Sequence, residues 1–338
     1  FVRLGTPGQE GPPGGPGARG EAGPQGDVGP PGSSPYRVVP DDYATIQEAI
    51  DALPAGGGTV YVRAGQYDLT AGLHIDRSDV ALLGEPGVVI RLEDGVDQPV
   101  LLIGSDEEVP SFEVDNIRIE GLELDGNRDG QTSEVDPSRP WIRGNTLDMR
   151  MVRSAWLEDL DLHGGASGSL VLSWDCEHVF ISNSLLHGSV YDGLAAYASS
   201  SISVTSVAAY DNDAAGLSLD NALHDVQFTD LRIEDNGDVG VFARNVSDLS
   251  FHGVTVQGSG SHGWFLSHET PGTGTGVSRV VIEGATVYGN GGHGLWLASS
   301  SSDSPDNALL SSVFADNAGD PVHLDPGAEL TQDAVVFF

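Results

Sequence analysis

The chain has 338 residues and an ordinary hydrophobic share of 39%, enough for one large core or a long solenoid. Its charge is extreme: 50 acidic residues stand against 15 basic ones, all arginine, for a net −35, which excludes nucleic acid and anionic membranes and disfavours polyanions at long range. One cysteine, Cys176, excludes an intrachain disulfide framework, and no apolar run is long enough to enter a bilayer as a spanning helix.

After a short extension, residues 1–4, glycine occupies every third position: Gly5, Gly8, Gly11, Gly14, Gly17, Gly20, Gly23, Gly26, Gly29 and Gly32. Three polyproline strands wind together only where the axial residue has no side chain, so this cadence predicts a collagen-like triple-helical stalk over 5–34. At ~3.1 Å per residue it would extend about 90 Å. The expected partner is a second and third copy of the chain, as a homotrimer that joins others into a higher-order filament. The sequence starts at Phe1 without a leader-like stretch and reads as a processed or a trimmed product, placed outside the cell or on its surface.

Residues 35–58 form a linker and a capping helix. Thr45 with Glu48 three residues on is a capping box, and Ile46, Ile50 and Leu53 share one helical face before Pro54 and Gly56 end it. The strand Thr59–Arg63 follows, with apolar and polar residues alternating.

From 59 to 338 the pattern repeats. Glycine closes a turn at Gly168, Gly193, Gly216, Gly240, Gly263 and Gly294, each followed by a short apolar segment and then by two more. Three short strands per coil predict an all-β, parallel β-helix whose coils bury a continuous column only by stacking. Asn212, Asn236, Asn290 and Asn317 fall at matching turns and predict an asparagine ladder from coil to coil. Trp264 and Trp296 are one residue out of phase in the strands after their glycines, so at most one of them points into the core. Gly126–Arg143 and Thr270–Val277 interrupt the repeat and read as surface loops. The helix then caps the open end of the column.

From Tyr36 to about Asp325 the chain resembles the pectate-lyase-like right-handed β-helix superfamily. The stretch from Asp42 to Val62 is similar to the opening of many members. Gly121-Leu-Glu-Leu-Asp-Gly-Asn127 and Tyr191-Asp-Gly-Leu-Ala195 resemble the mannuronan C5-epimerase branch. That resemblance implies chemistry on uronate polymers: a cation neutralises the carboxylate, and an acid and a base work on opposite faces of the ring. The branch uses a Tyr-Gly-Phe-Asp-Pro-His motif and a lysine. After Leu162-His163-Gly164-Gly165 this chain has Ala166-Ser-Gly-Ser-Leu-Val171 instead, and it has no lysine. The polygalacturonase branch implies Gly-His-Gly and Arg-Ile-Lys; Gly292-His293-Gly294 matches the first, but Ser261-His262-Gly263 shows the same turn within the repeat, and the second is missing.

The residues able to restore a catalytic set are Arg150 and Arg153 for the cation and His163, His187, Tyr191 and Asp192 for acid and base. Histidine before a turn glycine is equally an ordinary hydrogen-bonding residue. Trp156 and Trp174 would stack on sugar rings if they face outward. Asp125, Asp129, Asp211, Asp213 and Asp220 offer oxygen ligands but no calcium-loop spacing, so no cofactor is expected and calcium is the one open alternative. With the family motif missing, the sequence favours a trimeric extracellular adhesive or structural fibre with a catalytically silent, carbohydrate-binding β-helix. The alternatives are a secreted uronate epimerase or lyase on a trimeric stalk, and a phage tail fibre.

Overall fold

A computed structural model describes residues 35–267, 276–298 and 306–338. The Gly5–Gly32 cadence, with the stalk and trimer it predicts, lies outside the described residues, as does most of the Thr270–Val277 loop. The body is a parallel β-solenoid of about 12 turns with three faces. Among the described residues sheet A has 12 strands and starts at Tyr36–Val39, sheet B has 11 and starts at Gly65–Leu69, and sheet C has 10 and starts at Leu73–Ile75. Each coil visits A, then B, then C, so every strand pairs with its counterpart one coil away.

The column that holds this together is legible in the register. On sheet C, Leu170, Leu194, Leu217, Val241, Trp264 and Leu295 stand in one line, all buried. On sheet A, Val179, Ile202, Val226, Leu249 and Val280 do the same. A strand side chain alternates faces, so one residue in two enters the core and the next faces water. Each buried branched side chain contributes roughly 1.5–3 kcal/mol, but only once its neighbouring coil is in place. Trp264 is fully buried and Trp296 lies on the outward row, as their phase difference requires.

The glycines before sheet C do not serve turn conformation. Gly216 and Gly263 have ordinary backbone angles, but a Cβ there would come within 2.5 Å of Ile233 and 2.6 Å of the Gly294 carbonyl. They are glycine because adjacent coils touch there. Left-handed residues stand at other positions in the coil, among them Asp159, Asn183, Ser206, Asp230 and Ser311 between sheets A and B, with φ of 49° to 55°, and Asp211 and Asp235 after sheet B, with φ of 54° and 53°. Short polar side chains tolerate that region best among non-glycine residues.

The asparagine ladder forms as expected. Asn212 Nδ2 donates to Asn236 Oδ1 at 3.0 Å and Asn290 Nδ2 to Asn317 Oδ1 at 2.8 Å. Between the two pairs the position is Ser259, whose amide donates to Asn290 Oδ1 at 3.0 Å. The capping helix is shorter than its sequence segment, Ile46–Asp51, with both halves of the Thr45–Glu48 box formed. Leu53 is buried just beyond its end. Gln47 gives the end of sheet C a partner: it accepts from the His74 amide at 2.8 Å and donates to the His74 carbonyl at 3.1 Å. The segment before the helix adds a strand that sequence patterning missed, Tyr36–Val39, paired with Gly58–Val62.

Candidate active site

The residues singled out in the sequence fall on three different faces. Arg153 is on sheet A, bound to Glu113 at 3.0 Å and Glu177 at 3.1 Å. Trp156 is on the same sheet, exposed and stacked on Phe180 with centroids 5.8 Å apart. His163 and His187 face outward from sheet B. Their rings stack at 5.0 Å and continue onto Tyr210 at 4.5 Å. Each is already held by a carboxylate one coil back: His187 Nε2 lies 2.9 Å from Asp161 Oδ1, and His163 Nε2 lies 3.3 Å from Glu123 Oε1.

Tyr191 and Asp192 precede the sheet-C strand Leu194–Tyr197, whereas Arg150 closes the strand Leu147–Arg150 at the other end of that sheet and has a different task. Its guanidinium donates to the carbonyls of Ser105, Glu107 and Glu108 at 3.0, 2.7 and 3.1 Å, clamping that loop. It also lies 5.9 Å from the Trp174 ring centroid. Of the five candidate calcium ligands, Asp125 pairs with Arg91, Asp213 with Arg128 and Asp220 with Arg244, so these three carboxylates are matched by arginine and the five do not gather. Cys176 is buried, and burial pushes its thiol up to about 11, which leaves it inert.

Tyr191 and Asp192 sit at the turn entering sheet C, on the wall of a cleft of about 420 Å³. Asn145, Ser167, Gly168, Val171, Ala195 and Tyr197 line the rest, with Arg143 at the rim. The Ala166–Val171 stretch therefore does lie in the cleft, but it contributes only small or apolar side chains and one serine. The cation comes from the Gly126–Arg143 insertion, which folds back as an antiparallel pair, Val135–Asp136 with Arg139–Arg143. Arg143 lies 5.8 Å from the Tyr191 ring centroid and 3.4 Å from Glu134. A hydrogen bond to Glu134 and that carboxylate's charge raise the Tyr191 phenol. Asp192 is held above the usual carboxylate range by burial, although the Ala215 amide donates to it at 3.1 Å. Burial also pushes the neighbouring Asp148 up to about 6.

The insertion is pinned by Asp97, which takes the Thr132 amide at 2.7 Å, its hydroxyl at 2.6 Å and the Ser133 amide at 3.0 Å. Burial opposes ionisation of Asp97, but those hydrogen bonds outweigh it and keep its carboxyl below the usual range. Arg139 adds ion pairs to Asp136 and Asp106, both at 2.8 Å. Sequence reasoning read this segment as a plain surface loop and so missed Arg143 and Glu134. The only signal was a pair of charged residues inside an insertion.

A second polar group lies further along sheet C: His293, Asp320 and His323, with donor atoms within 4.8 Å of one another. It is not a ready chelate. The Asp320 amide donates to His293 Nδ1 at 2.8 Å, and the two imidazole planes lie within 16° of parallel, so their in-plane lone pairs do not converge.

Residues 169–272 match the family described as right handed beta helix region. The mannuronan C5-epimerase AlgE5 of Azotobacter vinelandii is 29% identical over 232 residues, covering 65% of this chain and 23% of that protein. Among solved structures, the A-module of A. vinelandii mannuronan C-5 epimerase AlgE6 superposes with a TM-score of 0.58 at 20% identity, over 87% of this chain and 94% of the module. Pectate lyase Pel9A superposes at 0.60 and 11% identity, over 86% and 74%. This chain carries a right-handed β-helix of the mannuronan C5-epimerase and pectate lyase fold. It spans about a quarter of the length of AlgE5.

Proposed function

We propose that this chain is an extracellular polysaccharide-modifying enzyme acting on a uronate polymer at the sheet-C cleft, as an epimerase or a lyase. One observation carries this reading: Arg143 and Tyr191 stand 5.8 Å apart at a walled cleft whose side holds Asp192. The similarity to an epimerase and to a pectate lyase supports the substrate class. It also reverses the preference for a silent fibre that the missing motif suggested.

The chemistry moves from the usual motif to Tyr191 and Arg143. Arg143 pairs with the sugar carboxylate and stabilises the negative charge that develops when the adjacent carbon loses its proton. Tyr191 takes that proton while passing its own to Glu134, so the proton count is unchanged. Asp192, with its pKa raised, is the acid. Return of a proton to the opposite face gives the epimer; cleavage of the glycosidic C–O bond on the next ring carbon, with the departing oxygen taking a proton from Asp192, gives the unsaturated lyase product. Net repulsion of the polymer by this acidic chain is screened beyond about 8 Å at physiological salt, which leaves Arg143 as the local charge.

The test is incubation with mannuronan, alginate and pectate, following the ultraviolet absorbance of unsaturated product and the uronate ratio by NMR. Turnover that disappears in Tyr191→Phe supports the reading; no turnover on any uronan overturns it. The ten-glycine cadence favours a homotrimer on a collagen-like stalk. Sedimentation should give three chains for the full sequence and one for residues 35–338; identical masses per particle would remove the stalk's role.

A further inference from the structure

We infer that His262, His293 and His323 form an acid-sensitive latch, which fastens the last coils of the solenoid at neutral pH and releases them in mild acid. The latch stands apart from the sheet-C cleft and does not depend on what that cleft binds.

The residue before each recurring glycine stands in one line along the coils. The amides of Gly193, Gly216, Gly240, Gly263 and Gly294 donate to the carbonyls of Ala215, Val239, His262, His293 and Asp320, so the line runs from Asp192 through these five. Side-chain acceptors in this line take the amide one coil further on. Asp192 takes that of Ala215 at 3.1 Å, His262 Nδ1 that of His293 at 2.9 Å, and His293 Nδ1 that of Asp320 at 2.8 Å. Glycine makes room for the two rings. A Cβ on Gly292 would lie 2.6 Å from His262 Nδ1, and one on Gly319 would lie 2.7 Å from His293 Nδ1. The rings of His262, His293 and His323 stack at 5.2 and 4.4 Å, and Trp296 meets all three edge-on.

A neutral imidazole that accepts at Nδ1 carries its hydrogen on Nε2, so a further proton can enter only at Nδ1. That proton turns the acceptor into a donor facing a backbone N–H, and the bond between coils is lost. It also sets like charges on stacked rings. The nearby pair Asn290 and Asn317 joins the same coils through an amide that does not titrate. Among the described residues, the charged and titratable groups facing the stack are three carboxylates. Asp238 acts on His262 from the preceding coil. Asp320 lies 3.8 Å from His293 Nδ1 and 3.2 Å from His323 Nδ1, and Asp325 lies 3.5 Å from His323 Nε2. A protonated His293 therefore has Asp320 Oδ2 to turn to, at the expense of the amide. Burial and then His293 hold His262 below the ordinary 6.5. The unfolded chain takes up that proton first as pH falls through 6.5, so the latch stabilises the fold above this value and fails below it. Release bares the end of the apolar column at Leu295 and Leu297, now fully buried.

The experiment is hydrogen exchange of the full chain at about pH 7.5 and about pH 5, read by mass spectrometry and corrected for the intrinsic pH dependence of exchange. Protection of Leu295–Leu297 and Val322–Leu324 should drop roughly 10-fold in acid, while Leu170–Ser173 in the cleft coils should keep its own. The double variant His262→Asn, His293→Asn sets an oxygen acceptor the same number of bonds from the backbone and cannot be protonated, so its last coils should hold at both pH values. Unchanged wild-type protection overturns the latch. So does a variant that loosens in acid as the wild type does, or an equal loss at Leu170–Ser173. If the variant does not fold, NMR of the ring nitrogens in the wild type decides. His262 and His293 should carry hydrogen on Nε2 alone at the higher pH, and hydrogen on Nδ1 there sinks the idea.

Discussion

Sheets B and C each carry outward-facing titratable side chains, and the surroundings of the two groups differ. On sheet B, His163, His187 and Tyr210 stack in a row, and each histidine lies against a carboxylate from the preceding coil, Glu123 or Asp161, both of which border a separate cleft of about 660 Å³. On sheet C, Tyr191 and Asp192 sit in a cleft walled by the insertion that carries Glu134 and Arg143. The residue types on the two faces are equally suited to acid–base work. What separates them is the insertion, which sets the Arg143 cation beside Tyr191, while burial raises Asp192.

The sharpest test of that contrast is the pair of substitutions that should behave oppositely. Tyr191→Phe should lower turnover on the responsive uronan by roughly 1,000-fold, the middle of the range for losing a positioned proton-transfer group. His187→Ala on sheet B should be the mildest change of all, within about twofold in turnover, since it removes one partly exposed imidazole–carboxylate contact. Steady-state kinetics of both variants would reverse the comparison if the histidine variant were the dead one.

Next in size is a pH effect seated on sheet C. Asp148 is buried and its carboxyl is raised from 3.8 to about 6 by desolvation. Below pH 4 it is neutral in both folded and unfolded chains. Between about 4 and 6 the unfolded chain releases its proton first, so stability falls as pH rises through that window, by about 3 kcal/mol in all. Asp148→Asn should flatten this part of the stability–pH curve and stabilise the protein at pH 7. Denaturant melts at several pH values measure it, and an unchanged slope would refute the assignment.

A smaller effect should come from the wall itself. Asp97→Ala removes three hydrogen bonds to Thr132 and Ser133 and should raise KM about 10-fold as the hairpin loosens. The core column is untouched, so turnover at saturation should fall less than KM rises. A variant with unchanged KM would show that the hairpin holds its place without Asp97.

The fold was legible because a solenoid writes itself locally. Apolar alternation, recurring glycines and matched asparagines each repeat at the coil length, and stacking turns that repetition into Leu170 over Leu194 over Leu217 and Asn212 against Asn236. The phase difference between Trp264 and Trp296 was enough to send one inward and one outward. Even here the glycines misled about cause, since close approach of adjacent coils is a property of two coils and not of one turn.

The site was only half legible. Tyr191 and Asp192 could be picked out because they sit at a recurring turn, but so could His163 and His187, which belong to another face. The sequence by itself determined the repeat, the direction each strand side chain takes and the absence of the usual motif. Which of those outward residues share a cavity was decided only by tertiary structure. An insertion is aperiodic, so no pattern within it states where it will fold, and the Asp97 contacts that bring Arg143 over Tyr191 join residues 35 and 36 positions apart.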